Sequence, residues 1–276
     1  MGRTGDFWVK EFFIRKAHLF LRVLNKAWER AEEESRLVAK LLEKLGVGKG
    51  SLILDLGCGN GRIAINLAKQ GYKVVGVDIS PVFIEDALRK AREHGVHDKT
   101  VFIAGDVLDL ERAVGKYFFD TTILYWSTIL GYYVDESVDE RILRNIWDVT
   151  RNGGYLLILN TVNYDIIATR TALAPVESIM SDIGENYVLV EKPRFDPTKS
   201  TFENTWVFYR RKGKDLVYVD EVSFTMRAYT LHEIIKIAEK AGWKFQEAYR
   251  DLATLKPYKP MLSAFNVVFR KLREQR

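Results

Sequence analysis

LDLGCGNG, residues 54–61, places three glycines directly after an apolar, strand-forming run and directly before RIAINLAK, a stretch with helical spacing. Glycines at a strand-to-helix turn permit positive φ and let a ligand approach the backbone, while the helix that follows presents unpaired N–H groups. Working outward, SLILDLG at 51–57 predicts a buried strand, and RIAINLAKQG at 62–71 a helix with Ile63, Ala64, Leu67 and Ala68 on one face and Gly71 as its stop. KVVGVD predicts the next strand, and PVFIEDALRKAREHG the next helix, with Ser80 as N-cap and Pro81 at the first helical position. TVFIAGD, FFDTTILYW and GGYLLILN supply further strands, with the helix ESVDERILRNIWDVT before the last. Strands alternating with helices predict a doubly wound α/β fold whose sheet is mostly parallel and covered on both faces.

The rhythm stops after Asn160. Residues 163–185 read as irregular helix, and YVLVEKPRF, STFENTWVFYRR and DLVYVDEVSFTMRAYT as antiparallel strands, with Lys212-Gly213-Lys214 as a hairpin turn. LHEIIKIAEKAGW restores a helix, and KFQEAYRD and AFNVVFRK read as terminal strands. The opening residues read as helices rich in Phe, Trp and Leu. The expected architecture is therefore an N-terminal helical cap at 1–49, a seven-stranded sheet domain with an antiparallel terminal strand at 50–160 and 230–276, and an inserted antiparallel β lid at 161–229.

At 276 residues, 47% hydrophobic and 29% charged, the chain has the apolar content for a real core and is too apolar to be disordered. No stretch approaches the ~20 uncharged apolar residues that span a bilayer. Charges at Arg3, Asp6, Lys10, Glu11, Arg15 and Lys16 interrupt the N-terminal segment before any signal-peptide core, so a cytoplasmic protein with no membrane partner is expected. A single cysteine, Cys58, excludes an internal disulfide and a Cys-based zinc cluster, and no metal site is expected. Three Gln against 42 Lys plus Arg hint at a thermophilic source. The net charge of +5 invites a nucleic-acid reading, but the basic excess sits in residues 1–50 and 231–276, while 51–160 hold 12 basic and 15 acidic residues. That distribution favours a solvated surface over a nucleic-acid groove.

Gly59-Asn60-Gly61-Arg62-Ile63-Ala64 also satisfies G-x-G-x-x-A, a form of the dinucleotide fingerprint, and Asp78 follows at a suitable distance. Two features point to a different ligand. Asp55 stands beside the loop, where a pyrophosphate would be repelled, and Gly105-Asp106-Val107 offers another carboxylate at the carboxyl edge of the third strand. Three acids at three successive strand ends suit a cationic nucleoside.

On these motifs the chain resembles the class I S-adenosylmethionine-dependent methyltransferases, in particular their small-molecule branch, closely over 50–160 and by pattern over 225–271. The resemblance implies a Rossmann-like fold with S-adenosylmethionine as cofactor and S-adenosylhomocysteine as product. It implies that Asp55, Gly57, Cys58, Gly59 and Gly61 lie under the methionine part, and that Asp78 grips the ribose hydroxyls, with Ile79 against the adenine. Asp106 would accept from the adenine amino group and the Val107 backbone would meet the ring. RNGGYLLI at 151–158 resembles the family's turn and fifth strand. Tyr125, Trp126, Ser127 and Thr128 end the fourth strand, where the family faces the methyl group. The absence of an NPPY-like tetrapeptide there departs from the base-amine and glutamine-amide enzymes.

The implied activity is in-line transfer of a methyl group to an N or O nucleophile of a small-molecule acceptor. A dedicated catalytic residue is optional for such an electrophile, and none is assigned; His18, His94, His97 and His232 are poor candidates by position. Trp126, Arg227 and Tyr229 are the candidate acceptor contacts, with the acceptor expected between the N-terminal helices and the insertion. Tyr164, Phe195, Phe202, Trp206, Phe208, Tyr209, Tyr218 and Phe224 could line that pocket, form the lid's own core or make a dimer surface. An RNA methyltransferase, a non-catalytic cofactor-binding subunit and an NAD-linked dehydrogenase stay open as alternatives, in a monomer or a homodimer.

Overall fold

The computed structural model describes residues 4–126, 129–173 and 177–272. The chain opens with α1 (Thr4–Lys10), a π-helical turn at Glu11–Arg15, α2 (Ala17–Ala27) and α3 (Ala31–Lys44). Then follow β1 (Leu52–Leu56), α4 (Arg62–Lys69), β2 (Lys73–Asp78), α5 (Pro81–Glu93), β3 (Thr100–Ala104), α6 (Leu110–Val114), β4 (Phe119–Tyr125), α7 (Glu136–Asp148) and β5 (Thr150–Thr161). The remainder is α8 (Tyr164–Leu173), β6 (Ile179–Asp182), β7 (Tyr187–Asp196), β8 (Thr201–Lys212), β9 (Asp215–Arg227), α9 (Leu231–Lys240), β10 (Lys244–Ala248) and β11 (Phe265–Arg270).

Seven strands form one sheet in the order β10-β11-β5-β4-β1-β2-β3, with β11 antiparallel to both its neighbours and the other pairings parallel. Ile53 to Leu56 of β1 are all buried, as a strand covered on both faces requires. Val38, Leu41 and Leu42 of α3, Ile63 and Leu67 of α4 and Ile84 and Ala87 of α5 pack against one face. Leu110 and Val114 of α6, Ile142 and Ile146 of α7 and Ile234 and Ile237 of α9 pack against the other. The chain order reverses between β1 and β4, so a switch-point crevice opens at the carboxyl ends of the strands holding the candidate motif.

A second sheet, β6-β7-β8-β9, is wholly antiparallel and packs on the N-terminal helices through Phe208, Val222 and Phe224 against Trp8, Phe12 and Leu19. Its strand β6 lies inside the region expected to be irregular helix, where the described helix is Tyr164–Leu173. Ile179 and Met180 are exposed on this short edge strand, so no buried alternation marks it. The strand expected to reach Thr230 ends at Arg227 instead. Thr230 is the N-cap of α9, accepting from the Glu233 N–H while the Glu233 carboxylate accepts from the Thr230 N–H, a complete capping box. No helix among the described residues is long and apolar enough to cross a membrane.

Gly61 makes the turn from β1 into α4 possible. Its φ is +77°, and a Cβ there would lie 2.8 Å from the Phe102 ring and 3.1 Å from Ala87. Left-handed backbone costs about 1–2 kcal/mol for a residue with a side chain, and overpacking adds about 1–3. Gly61→Ala should therefore lower unfolding stability by about 2 kcal/mol or more, read as a reduced urea midpoint.

Candidate active site

The loop after β1 leans on the neighbouring strand: the Gly57 and Cys58 N–H groups both donate to the Val77 carbonyl, at 2.8 and 3.1 Å. Asp78, at the end of β2, holds the loop from the other side. Its Oδ2 accepts from the Gly59 N–H at 2.8 Å and its Oδ1 from the Ser80 N–H at 2.9 Å. Burial pushes this carboxyl up to about 6 against those two donors. Asp106 caps the 3-10 turn at Val107–Asp109, its Oδ1 accepting from the Leu108 N–H at 2.9 Å. The same turn is gripped by α7, whose Asn145 Nδ2 donates to the Val107 and Leu108 carbonyls.

Asp55 is 2% exposed, and burial drives its carboxyl up to about 7 despite the attraction of Arg62. Its Oδ2 is buried with no hydrogen-bond partner among the described residues. A fully buried acceptor oxygen facing a cleft is a seat for a donor or a cation. Arg62, 4% exposed, is paired with Glu34 of α3, and its guanidinium stands 5.2 Å over the Tyr125 ring and 5.4 Å over the Trp126 ring. The Tyr125 phenol is pushed up to about 12, chiefly by burial, and so stays protonated. Burial likewise raises the Cys58 thiol, leaving it unreactive.

These groups line a cleft of about 940 Å³, counting its open mouth. Asp55, Gly57, Cys58, Gly59, Asp78, Ile79, Asp106, Val107, Tyr125 and Trp126 all face it. Gly61 does not, and serves the turn. Ser127 and Thr128 lie outside the described residues.

Arg227 and Tyr229, expected at the acceptor, belong to a second cavity of about 410 Å³ with Leu130, Phe202 and Ile234. Their side chains are committed elsewhere: Arg227 pairs with Glu136 and Glu233, and the Tyr229 hydroxyl donates to Asp139. The expected lid aromatics do not line the cleft either. Trp206 and Phe224 pack behind the N-terminal helices, meeting Phe12 with ring centroids 5.4 and 5.9 Å away. None of the four histidines faces the cleft; His94 stacks on Trp28 instead.

The sequence predicts a cap from the N-terminal helices but does not pick out which of its residues reach the cleft. Val9, Phe13, Phe20 and Leu24 cover the cleft from the π-helical turn and the helices beside it, and Ile129, Tyr132 and Tyr133 complete the wall after β4. Phe13 stacks on Tyr132 at 5.9 Å, and Trp8 Nε1 donates to the Tyr132 carbonyl at 3.0 Å. Leu24 sits so close to the loop that a Cβ on Gly59 would come within 3.1 Å of it. A glycine at 59 thus allows the roof to close on the loop.

A family model described as a methyltransferase domain matches residues 48–217. A putative methyltransferase from Geobacillus sp. (strain WCH70) is 30% identical over 141 residues, covering 51% of this chain and 54% of that protein. The chain thus spans about half the length of that curated relative. Among solved structures, an S-adenosylmethionine-dependent methyltransferase from Clostridium acetobutylicum superposes with a TM-score of 0.72 at 17% identity, covering 94% of this chain and 98% of that one. A structure described as S-adenosylmethionine-bound CalS10, an amino pentose methyltransferase from Micromonospora echinaspora, superposes at 0.64 with 14% identity, covering 92% and 96%.

Proposed function

This chain belongs to the class I S-adenosylmethionine-dependent methyltransferases, and we propose that it transfers the methyl group to a nitrogen or oxygen of a small, largely apolar acceptor held under its own N-terminal helices. The observation that carries this reading is the division of the cleft. Asp55, Asp78 and Asp106 line the loop side, whereas Val9, Phe13, Phe20, Leu24 and Ile129 line the roof. Arg62 is the only cationic side chain among the described lining residues, and it is already paired with Glu34. A phosphate-rich acceptor would find little counter-charge there. The similarity to an amino pentose methyltransferase agrees with a small acceptor.

Bound donor supplies an electrophilic methyl group on a positively charged sulfur. In this reading the chain's own residues bind and orient. Asp78 takes the ribose hydroxyls, Ile79, Asp106 and the Val107 backbone hold the adenine, and the buried free oxygen of Asp55 receives the ammonium of the methionine part. The aromatic roof excludes water and aligns the acceptor. Tyr125 stays protonated and no histidine reaches the cleft, so an amine that brings its own lone pair fits better than a hydroxyl that must lose a proton. Residues 1–49 then act as roof and 50–160 with 230–276 as donor domain. The insertion at 161–229 buttresses the roof from behind.

Incubating a metabolite extract with the protein and methyl-deuterated donor should give a mass-shifted small molecule by mass spectrometry. Label found only in RNA or protein would overturn the acceptor class.

A further inference from the structure

Between β4 and α7 the described residues 129–135 form no helix or strand, yet they carry Ile129, Tyr132 and Tyr133 into the cleft. Two of these residues that carry side chains, Ile129 and Val134, have positive φ, at 32° and 53°, as does Trp126 before them, at 58°. Such a turn keeps its shape only if its surroundings over-determine it. They do so at Gly131. Its N–H donates to both carboxylate oxygens of Asp139, at 2.9 and 3.0 Å, and its carbonyl accepts from the Arg227 N–H at 2.9 Å. A Cβ on Gly131 would lie 2.4 Å from the Arg227 carbonyl oxygen. Asp139 is completely buried and takes a further hydrogen bond from the Tyr229 hydroxyl. Two regions far apart in sequence, α7 and the junction between β9 and α9, thereby converge on one residue of the acceptor wall, Asp139 and Arg227 directly and Tyr229 through Asp139.

We propose that Asp139 and Tyr229 are positioning residues for methyl transfer, clamping the Ile129–Tyr133 wall so that the acceptor is held in line with the donor. The proposal rests on the acceptor lying against that wall. Neither side chain lines the cleft. They act through the Gly131 backbone, and a wall displaced by about 1 Å can lower the rate about a hundredfold. The clamp also ties the second sheet to the reaction geometry, because Arg227 ends β9 and pairs with Glu136 of α7.

Tyr229→Phe removes one hydroxyl and keeps the ring. Tyr258→Phe is the matched control, since it removes a tyrosine–aspartate hydrogen bond, to Asp165, outside the cleft. Three readings are compared with wild type: S-adenosylhomocysteine affinity by calorimetry, transfer of deuterated methyl into the metabolite extract, and hydrogen exchange of the peptide covering 129–134. Tyr229→Phe should keep that affinity within twofold, lose at least tenfold in transfer and exchange at least tenfold faster at 129–134. Tyr258→Phe should change none of these more than twofold. Equal loss in both variants, unchanged transfer by Tyr229→Phe, or a matching loss of product affinity would overturn the clamp. If wild type labels only RNA or protein, the small-acceptor reading fails, and the same variants read on that substrate still decide the clamp.

Discussion

Replacing Asp78 with alanine is expected to weaken S-adenosylhomocysteine binding at least tenfold, and on the order of a hundredfold, while leaving far-UV circular dichroism unchanged. Both carboxylate oxygens already accept one backbone N–H each, from Gly59 and Ser80, which fixes the plane of the group at the end of β2. In the proposed reading its remaining lone pairs are the ones offered to a ribose. An ionised carboxylate only accepts, so it suits two hydroxyl donors, and with its carboxyl at about 6 the group is ionised at pH 8. A charge-assisted hydrogen bond contributes about 1.5–3 kcal/mol, and each 1.4 kcal/mol is tenfold in affinity. Calorimetric titration decides it: unchanged affinity would remove Asp78 from the donor site. Asp78→Asn, which keeps one acceptor oxygen, should fall between the alanine variant and wild type.

The loop side of the cleft is legible in the sequence because it is local. LDLGCGNG, VVGVD and GDV each place a strand end, a turn and an acid within a few residues, and parallel pairing of β1, β2 and β3 brings those ends side by side. The roof side is not, because it is assembled from distant segments. Phe13 and Phe20 flank the break between the π-helical turn and α2, so their helical spacing does not reveal that both face Leu24, Phe83 and the cleft, with Phe20 also stacking on Trp206. Tyr229 looked like an acceptor contact because the junction returns from the insertion to the sheet. Its hydroxyl instead meets Asp139, 90 positions earlier, a pairing that no local pattern encodes. Strand β6 escaped for the opposite reason, since an exposed edge needs no hydrophobic alternation to form.

Asp55→Asn should make the ligand-free protein more stable at pH 8 and bind its donor worse. The Asp55 carboxyl rises from its ordinary 3.8 to about 7 because burial opposes its charge. Between those values the folded chain holds a proton that the unfolded chain has released, so stability falls as pH rises from about 4 to 7 and the full penalty stands above 7. At about 1.4 kcal/mol per pKa unit, that penalty is on the order of 4 kcal/mol. Asn cannot ionise and escapes it, so the variant should melt several degrees above wild type at pH 8 and by less than half that margin at pH 5. Asp78 and Asp139, both raised to about 6 by burial, keep a weaker fall in stability below pH 7 in either protein. The buried oxygen that makes Asp55 a liability in the empty cleft is the one that should meet a positive charge in the filled one. Saturating S-adenosylmethionine should therefore raise the wild-type melting temperature more at pH 8 than at pH 5, and Asp55→Asn should lose most of that difference. Thermal melts at the two pH values, with and without donor, give all four quantities. A variant that melts below wild type at pH 8 without donor would show that Asp55 is stabilising rather than held in reserve for a cation.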